Sequence, residues 1–359
     1  MKFVHIADLH LDSSFTNLSE KEILGNKRRL YQRKILKKVI EYIKENDIKY
    51  LFISGDLYEH QYIRRATIEY INNLFNEIPK TEIYIAPGNH DPNIKNSYYN
   101  KYEWNKNVKI FSDKIEKIET NDAIIYGYGF SDFYCINSGI EEIQTKEEEK
   151  TKILVMHATL DGANIEEKQY NSINSKKLKE KGFDYIALGH IHKTNYDNEN
   201  KMIYPGSLVA LGFDEVGEHG MIVGTADGKN VETKFIPLDE EKFVKKEIYI
   251  TDIQSKEELI EKINSLNIEE NELAEIVLIG KRKFVINKYD ILKYLENDRI
   301  IKIKDKTEIA YNLEKIKNET SLKGLFVKEI LKKYNSENIT TEEKEIIEKA
   351  IEIGFDVLE

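Results

Sequence analysis

The chain has 359 residues, a formal net charge of −10, 40% hydrophobic and 33% charged residues and five prolines, a balance that excludes long disordered tracts. Its length exceeds what one hydrophobic core organises, so a large domain with a smaller appended one is expected. The lone cysteine, Cys135, excludes an intrachain disulfide and a thiolate metal site.

The opening MKFVHIADLHLD places histidine and aspartates where a signal peptide needs an apolar stretch, and no segment approaches membrane-spanning length, so a cytoplasmic protein without membrane contact is expected. From residue 2 to about 236, short β-rich runs alternate with amphipathic stretches, the pattern of an α/β domain. Strands are predicted over 3–6, 50–53, 83–86, 124–126, 153–156 and 185–188, then over 202–204, 221–225 and 231–236, these last antiparallel. Helices are predicted over 20–45, 64–78 and 172–181. After Pro237 a second series predicts strand 247–251, helix 256–266, strand 274–280, helix 288–296 and strand 299–303, a compact α/β cap. Two terminal helices follow between about 321 and 355. Leu322, Phe326, Ile330 and Leu331 form one stripe, Ile346, Ile347, Ala350 and Ile351 the next, and Thr340 and Glu343 make a capping box between them. The expected domains are therefore 1–240, 241–310 and 311–359.

Lys27, Arg28, Arg29, Arg33, Lys34, Lys37 and Lys38 crowd one stretch beside the apolar stripe of Ile35, Leu36, Val39, Ile40 and Ile43. A solvated helix face is the favoured reading, although such a cluster on an acidic protein leaves nucleic acid open as a partner.

The chemistry-bearing side chains fall just after predicted strands, where α/β folds place ligands. Asp8-Leu9-His10 follows the first strand, Gly55-Asp56 the second and Gly88-Asn89-His90-Asp91 the third. The run 153–156 ends at His157, and 185–188 leads into Gly189-His190-Ile191-His192. Asp-x-His and His-x-His spacings aim alternate side chains the same way on extended backbone, so each pair can grip one ion. A mixed Asp, Asn and His set suits a divalent metal such as manganese, iron or zinc, and Asp56 is the natural bridge between two ions that activate a water and clamp a phosphoryl group. Each motif alone is weak, but five of the eight histidines stand in this ordered set; His5 and His219 read as structural, and His60 has no such placement. Gly127-Tyr128-Gly129 lacks the rest of a dinucleotide fingerprint, no phosphate-binding loop of the ATPase kind is present, and Cys135 has no evident activating histidine.

DLH, GDLYE, GNHD, VMH and GHIH resemble the ordered motifs of the calcineurin-like metallophosphoesterases. The opening DLHLDSSF, the YPGSL at 204–208 and the C-terminal extension look like SbcD-type DNA repair exonucleases, especially their YhaO-like branch. The resemblance implies a two-sheet β-sandwich flanked by helices, with the small cap and terminal helices appended. It implies one metal on Asp8, His10, Asp56 and His192 and a second on Asp56, Asn89, His157 and His190, with manganese the first choice and iron or zinc as alternatives. His90 would be catalytic, assisting the leaving oxygen, and Glu59 matches the acidic position that orients this histidine in related phosphatases. Some SbcD-like nucleases carry histidine there, so Glu59 is a departure, and a helix-start carboxylate is its competing reading. The implied function is DNA cleavage by metal-activated water, beside an SbcC-type SMC-like ATPase docked through the terminal helices; a homodimer is a further expectation. The alternatives are a small-molecule phosphodiesterase or phosphoprotein phosphatase of the same superfamily, and an inert scaffold, which the filled ligand set disfavours.

Overall fold

The computed structural model describes residues 1–15, 22–145, 149–162, 170–197, 199, 201–309, 313–336 and 339–358. The chain divides into two compact units, Met1–Phe243 and Val244–Glu359.

The first unit runs β1 (Lys2–Ile6), α1 (Glu22–Glu45), β2 (Tyr50–Ile53), α2 (Arg65–Asn76), β3 (Glu82–Ile85), α3 (Tyr98–Lys101), β4 (Val108–Ile110), β5 (Glu116–Glu119) and β6 (Ala123–Tyr128). It continues through β7 (Thr151–His157), β8 (Thr159–Leu160), β9 (Ser172–Ile173), α4 (Ser175–Lys179), β10 (Tyr185–Gly189), β11 (Asn195–Asp197), β12 (Met202–Tyr204), β13 (Gly220–Asp227) and β14 (Asn230–Pro237). One sheet has the order β14-β13-β1-β2-β3-β4 and the other β11-β12-β10-β7-β6-β5.

Period-two alternation sorts the side chains of the first sheet. Val4, Ile6, Leu51, Ile53, Ile83 and Ile85 pack with Ile35, Leu36, Val39, Ile40 and Ile43 of α1 and with Ile68, Ile71 and Phe75 of α2. The alternate residues, Phe3, Tyr50, Phe52 and Tyr84, meet Ile125, Ile153, Val155, Tyr185 and Ala187 of the second sheet. Aliphatic faces thus take the helices, and an aromatic layer joins the sheets; a fully buried ring such as Phe52 contributes about 1.5–3 kcal/mol by leaving water. This is the two-sheet sandwich flanked by helices that the sequence implied.

Several local expectations need correction. β12 runs parallel to β10 and antiparallel only to β11, whereas β13 and β14 are antiparallel as expected. The helix predicted over 172–181 shortens to α4, because Ser172 and Ile173 pair with β8 and the Asn174 side chain then caps the helix by accepting from the Lys177 amide. β4 and β5 were not predicted; each lies at a sheet edge with little of its length buried, which leaves a weak pattern. Residues 20 and 21, the predicted start of the first helix, lie outside the described residues. The basic stretch is not one solvated face: Arg28 is buried, donating to Glu241 (2.6 Å) and to the Ala210 carbonyl, and Lys38 pairs with Glu240.

The second unit begins within β15 (Lys242–Tyr249) and continues through α5 (Lys256–Asn264), β16 (Glu272–Ile279), β17 (Lys281–Arg282), α6 (Lys288–Tyr294), β18 (Ile300–Asp305), β19 (Glu308–Ile309), α7 (Leu313–Ile316), α8 (Leu322–Tyr334) and α9 (Thr341–Val357). Its sheet has the order β15-β16-β18, with β16 and β18 parallel and α6 in the crossover between them. The Thr340–Glu343 capping box starts α9. Val327, Ile351 and Phe355 form a small core with Phe326, Ile330, Leu331 and Ile347 packed against it. Leu322 and Ile346, assigned to the stripes from sequence, are instead 73% and 67% exposed. No helix among the described residues is long and apolar enough to cross a membrane.

His5 lies between the sheets, with Nδ1 2.9 Å from the Tyr185 hydroxyl and Nε2 3.1 Å from Ser54 Oγ, whose own hydrogen goes to the Ala187 carbonyl (2.9 Å). Burial pushes its imidazole down to about 3, against a raising backbone hydrogen bond at Leu188. The unfolded chain then binds a proton below about 6.5 that the folded chain refuses, so this contribution to stability is complete above that pH and is lost as pH falls toward 3. Between pH 7 and pH 5 it amounts to about 2 kcal/mol. Urea unfolding at those two pH values should show the wild-type stability difference shrinking by about that amount in His5→Gln. An unchanged difference would mean that His5 is protonated in the fold.

Candidate metal centre

The C-terminal ends of five parallel-paired strands gather on one side of the sandwich. Ile6, Ile53 and Ile85 share a register in the first sheet, and His157 and Gly189 are opposite each other in the second. The loops that follow are zipped by backbone bonds: Asp8 N donates to Gly55 O, His10 N to Asp56 O, Leu11 N to Leu57 O and His60 N to His90 O. Asp8 (φ 52°), His10 (φ 46°), Asp56 (φ 52°) and His190 (φ 107°) all adopt positive φ, a strain that concentrates at functional sites.

Two glycines permit this convergence. A Cβ on Gly55, itself at φ 90°, would stand 2.3 Å from His157 Nδ1, and one on Gly189 would stand 1.8 Å from the Ser54 carbonyl oxygen, where the two sheets touch. Asp91 ties the loops after β2 and β3. Its buried carboxylate accepts from the amides of Asp56 (3.0 Å), Leu57 (2.7 Å) and Gly88 (2.7 Å) and from the Tyr99 hydroxyl (2.6 Å). Burial, and then the Asp56 charge, raise it to about 7.

All seven sequence-selected donors lie in this region. Three overlapping groups each bring ligand atoms within 4.8 Å of one another: Asp8, His10 and His192; His10, Asp56 and His90; Asp8, Asp56 and His157. Asn89 Oδ1 stands 3.0 Å from His157 Nε2. His190 is more peripheral: its ring meets His157 edge-on at 5.1 Å and Tyr170 at 4.9 Å, its amide donates to Asp8 (3.0 Å), and it joins none of the three groups.

Hydrogen bonds fix which nitrogens face inward. His10 Nδ1 donates to Glu59 Oε1 (2.7 Å), His192 Nδ1 to Glu215 Oε1 (2.6 Å) and His157 Nδ1 to the Ser54 carbonyl (2.9 Å). Each Nε2 is thereby left as the inward-facing atom with a lone pair. His10 Nε2 then faces His192 Nε2 at 3.0 Å, and His157 Nε2 faces the Asn89 amide oxygen at 3.0 Å. These are two acceptor-to-acceptor approaches in a buried site, and each requires a positive centre, a proton or a metal cation, between its partners. Asp56 borders both, with Oδ2 3.6 Å from His10 Nε2 and 3.4 Å from His157 Nε2. The residues therefore fit two divalent cations sharing Asp56.

The charges are strongly coupled. Burial raises Asp8 to about 8, despite the opposing charge of His192. Burial also raises Asp56, but His157, His10 and His90 outweigh it and hold this carboxyl well below the usual range. His190 falls to about 3 through burial and the neighbouring His157, and burial lowers His157 as well. For Glu59, burial is overcome by hydrogen bonds from His10 and His90, which bring it to about 2. His90 is 45% exposed while its Nδ1 donates to Glu59 Oε2 (3.0 Å); burial lowers it, and that bond with the Asp56 charge raises it to about 9. His192 rises to about 9 against its burial, chiefly through Glu215.

The model of the family described as calcineurin-like phosphoesterase matches residues 1–194, which include every one of these donors. The chain belongs to the calcineurin-like phosphoesterase family. Members bind two divalent metals, and the donor groups above are where this member would hold them. The chain is similar to the uncharacterized metallophosphoesterase YhaO of Bacillus subtilis (strain 168), with 25% identity over 231 residues, 61% of this chain and 56% of that protein, so the match spans little more than half of that relative's length. Among solved structures, TT1561 of Thermus thermophilus matches with a TM-score of 0.41 and 10% identity, covering 65% of this chain and 98% of that one.

Sequence reasoning did not select Asp91 or Glu215. Asp91 was within reach as the fourth residue of Gly88-Asn89-His90-Asp91, but a carboxylate that binds only backbone amides and a hydroxyl carries no ligand spacing. Glu215 stands alone in a loop, and only folding brings it to His192.

Two expected outcomes follow from this geometry. Gly189→Ala should cost more than about 3 kcal/mol in urea unfolding, because backbone must move, whereas Gly25→Ala in α1, where the nearest atoms are at 3.6 Å, should stabilise by about 0.5–1 kcal/mol. Glu215→Gln, which removes the carboxylate orienting His192, should weaken manganese binding about 10–100-fold in calorimetry; unaltered affinity would show that His192 needs no such partner.

Proposed function

We propose that this chain is a metal-dependent DNA nuclease that hydrolyses phosphodiester bonds with a water activated between two divalent metals, manganese first among them. The observation that carries the reading is the pair of acceptor-to-acceptor approaches flanking Asp56, which two cations would satisfy in a buried pocket that one exposed histidine overlooks. Asp8, His10, Asp56 and His192 would hold one metal, and Asp56, Asn89, His157 and His190 the other. The metals would supply Lewis acidity toward the phosphoryl group and a nucleophilic water at neutral pH. Asp8 and Asp56 balance the positive charge, and the Asn89 amide completes a hard donor set without adding a third negative charge.

His90 has the placement of a general acid. With Nδ1 committed to Glu59, its Nε2 is left to donate a proton to the departing 3′-oxygen. Glu59 positions two groups at once, holding His10 through Oε1 and His90 through Oε2, so the inward face of one and the outward face of the other are set by a single carboxylate.

DNA as substrate, and an SbcC-type ATPase as partner, rest on the likeness of DLHLDSSF, YPGSL and the C-terminal extension to SbcD-type enzymes. The second unit supports the partner: Leu322, Leu325, Ile346, Ile353 and Val357 are exposed apolar side chains on the terminal helices, as a docked coiled coil would require.

The test is cleavage of labelled single- and double-stranded DNA, beside a generic phosphodiester ester, with manganese or with chelator. Wild type should cleave DNA only with manganese. His90→Asn should lower kcat about 100-fold or more with metal content retained, and Asp56→Asn should lose the metals. Ester hydrolysis without DNA cleavage, even with a partner ATPase added, would instead favour a small-molecule phosphodiesterase or a phosphoprotein phosphatase.

A further inference from the structure

Beside the metal centre lies a cavity of about 460 Å³ lined by Asp12, Arg29, Leu30, Arg33, Tyr62 and Arg64. Its walls come from α1, which supplies Arg29, Leu30 and Arg33, and from the loops that carry the site, which supply Asp12, Tyr62 and Arg64. Asp12 is two residues beyond His10, the Glu59 amide donates to Leu11 O (3.0 Å), and the Tyr62 amide donates to Glu59 O (3.0 Å).

Three arginines line the cavity with one carboxylate, and that carboxylate is already engaged. Asp12 accepts from Arg33 Nη2 (2.7 Å), the Thr67 hydroxyl (2.6 Å) and the Arg64 amide (3.2 Å). Among the described residues Arg29 bonds neutral groups alone, the Ser13 and Ser14 carbonyls and the Asn26 amide oxygen, and no carboxylate there pairs with it. The Arg64 guanidinium has no partner among the described residues, and neither does Arg33 Nε, although that atom is buried. Two exposed surfaces flank the cations: Tyr62 is 52% and Leu30 64% exposed.

Net positive charge, an unsatisfied donor and an open aromatic face in a cavity of ligand size are a combination that suits a nucleic-acid strand better than an isolated anion. We propose that this cavity is a nucleotide subsite, in which Arg64 and Arg29 hold a backbone phosphate next to the scissile one and Tyr62 stacks the adjoining base. For its substrate class the inference rests on the nuclease reading. It accounts for how an acidic chain would hold a polyanion: the basic stretch is sorted, with Arg28 spent on internal carboxylates and Arg29 and Arg33 turned to the cavity.

The full chain would be assayed for binding a labelled oligothymidylate of about twelve nucleotides by fluorescence anisotropy in chelator, across a salt series. Hydrolysis of that oligonucleotide and of bis(p-nitrophenyl) phosphate would be measured with manganese. Arg64→Gln and Tyr62→Ala should each weaken oligonucleotide binding about ten-fold and lower the oligonucleotide-to-ester ratio of kcat/KM by a similar factor. Only Arg64→Gln should flatten the salt dependence, by about 0.7 in the slope of log K against log salt. Binding unchanged in both variants, or a loss shared equally by the ester, would overturn the subsite. Binding losses as described in a protein that cleaves no DNA would leave the subsite standing and defeat the nuclease reading. Wild-type cleavage matched by both variants would do the reverse.

Discussion

Two buried carboxylates, Asp8 and Asp56, held among imidazoles at the meeting point of two sheets, set the terms for the first unit. Removing an ion from water costs several kcal/mol, far more than the 0–1 kcal/mol of an exposed ion pair, so such a cluster persists only if opposite charge is close and geometrically fixed. Here the fixing is done by backbone. Parallel strands bring their ends into register, positive φ turns the chain back at Asp8, His10 and Asp56, and glycines let loop and imidazole approach within distances that any Cβ would forbid.

Within that frame the ionisable groups separate by exposure. His157, His10, Asp8 and Asp56 are buried to within a few per cent, whereas His90 opens to solvent. The same carboxylate, Glu59, touches one residue of each kind. A buried imidazole and a solvent-open one are thereby tied to a single carboxylate, which links the exposed side chain to the buried cluster.

Much of this was legible in the sequence. The core strands were found because they are fully buried and read as unbroken apolar runs, and the donors because each stands directly after such a run, as at Asp8, Asp56 and His157. Edge strands β4 and β5 escaped, since partial burial at a sheet edge leaves a weak apolar pattern. α4 was drawn too long because the pairing of Ser172 and Ile173 with β8 is a tertiary contact with no local signal. The terminal stripes were read two residues too generously, at Leu322 and Ile346, because helical spacing shows which residues share a face but not how far a neighbouring helix covers it. Glu215 is the clearest case of a residue beyond sequence reasoning: a solitary carboxylate, brought to His192 only by the folded loop.

Asp91 carries a lesson for how this protein responds to random mutation. Its carboxylate accepts hydrogen bonds from four donors on the loops after β2 and β3 and on α3, and an amide in its place would turn two hydrogens toward donors. Asp56 and Asn89 would then lose their common anchor while keeping their own side chains intact. Such a change would look, in any activity-based screen, like the loss of a ligand. A tolerance map of this chain would therefore draw the boundary of the reactive centre one layer too wide, and only a direct count of bound metal per polypeptide would separate the scaffold of the loops from the residues they present.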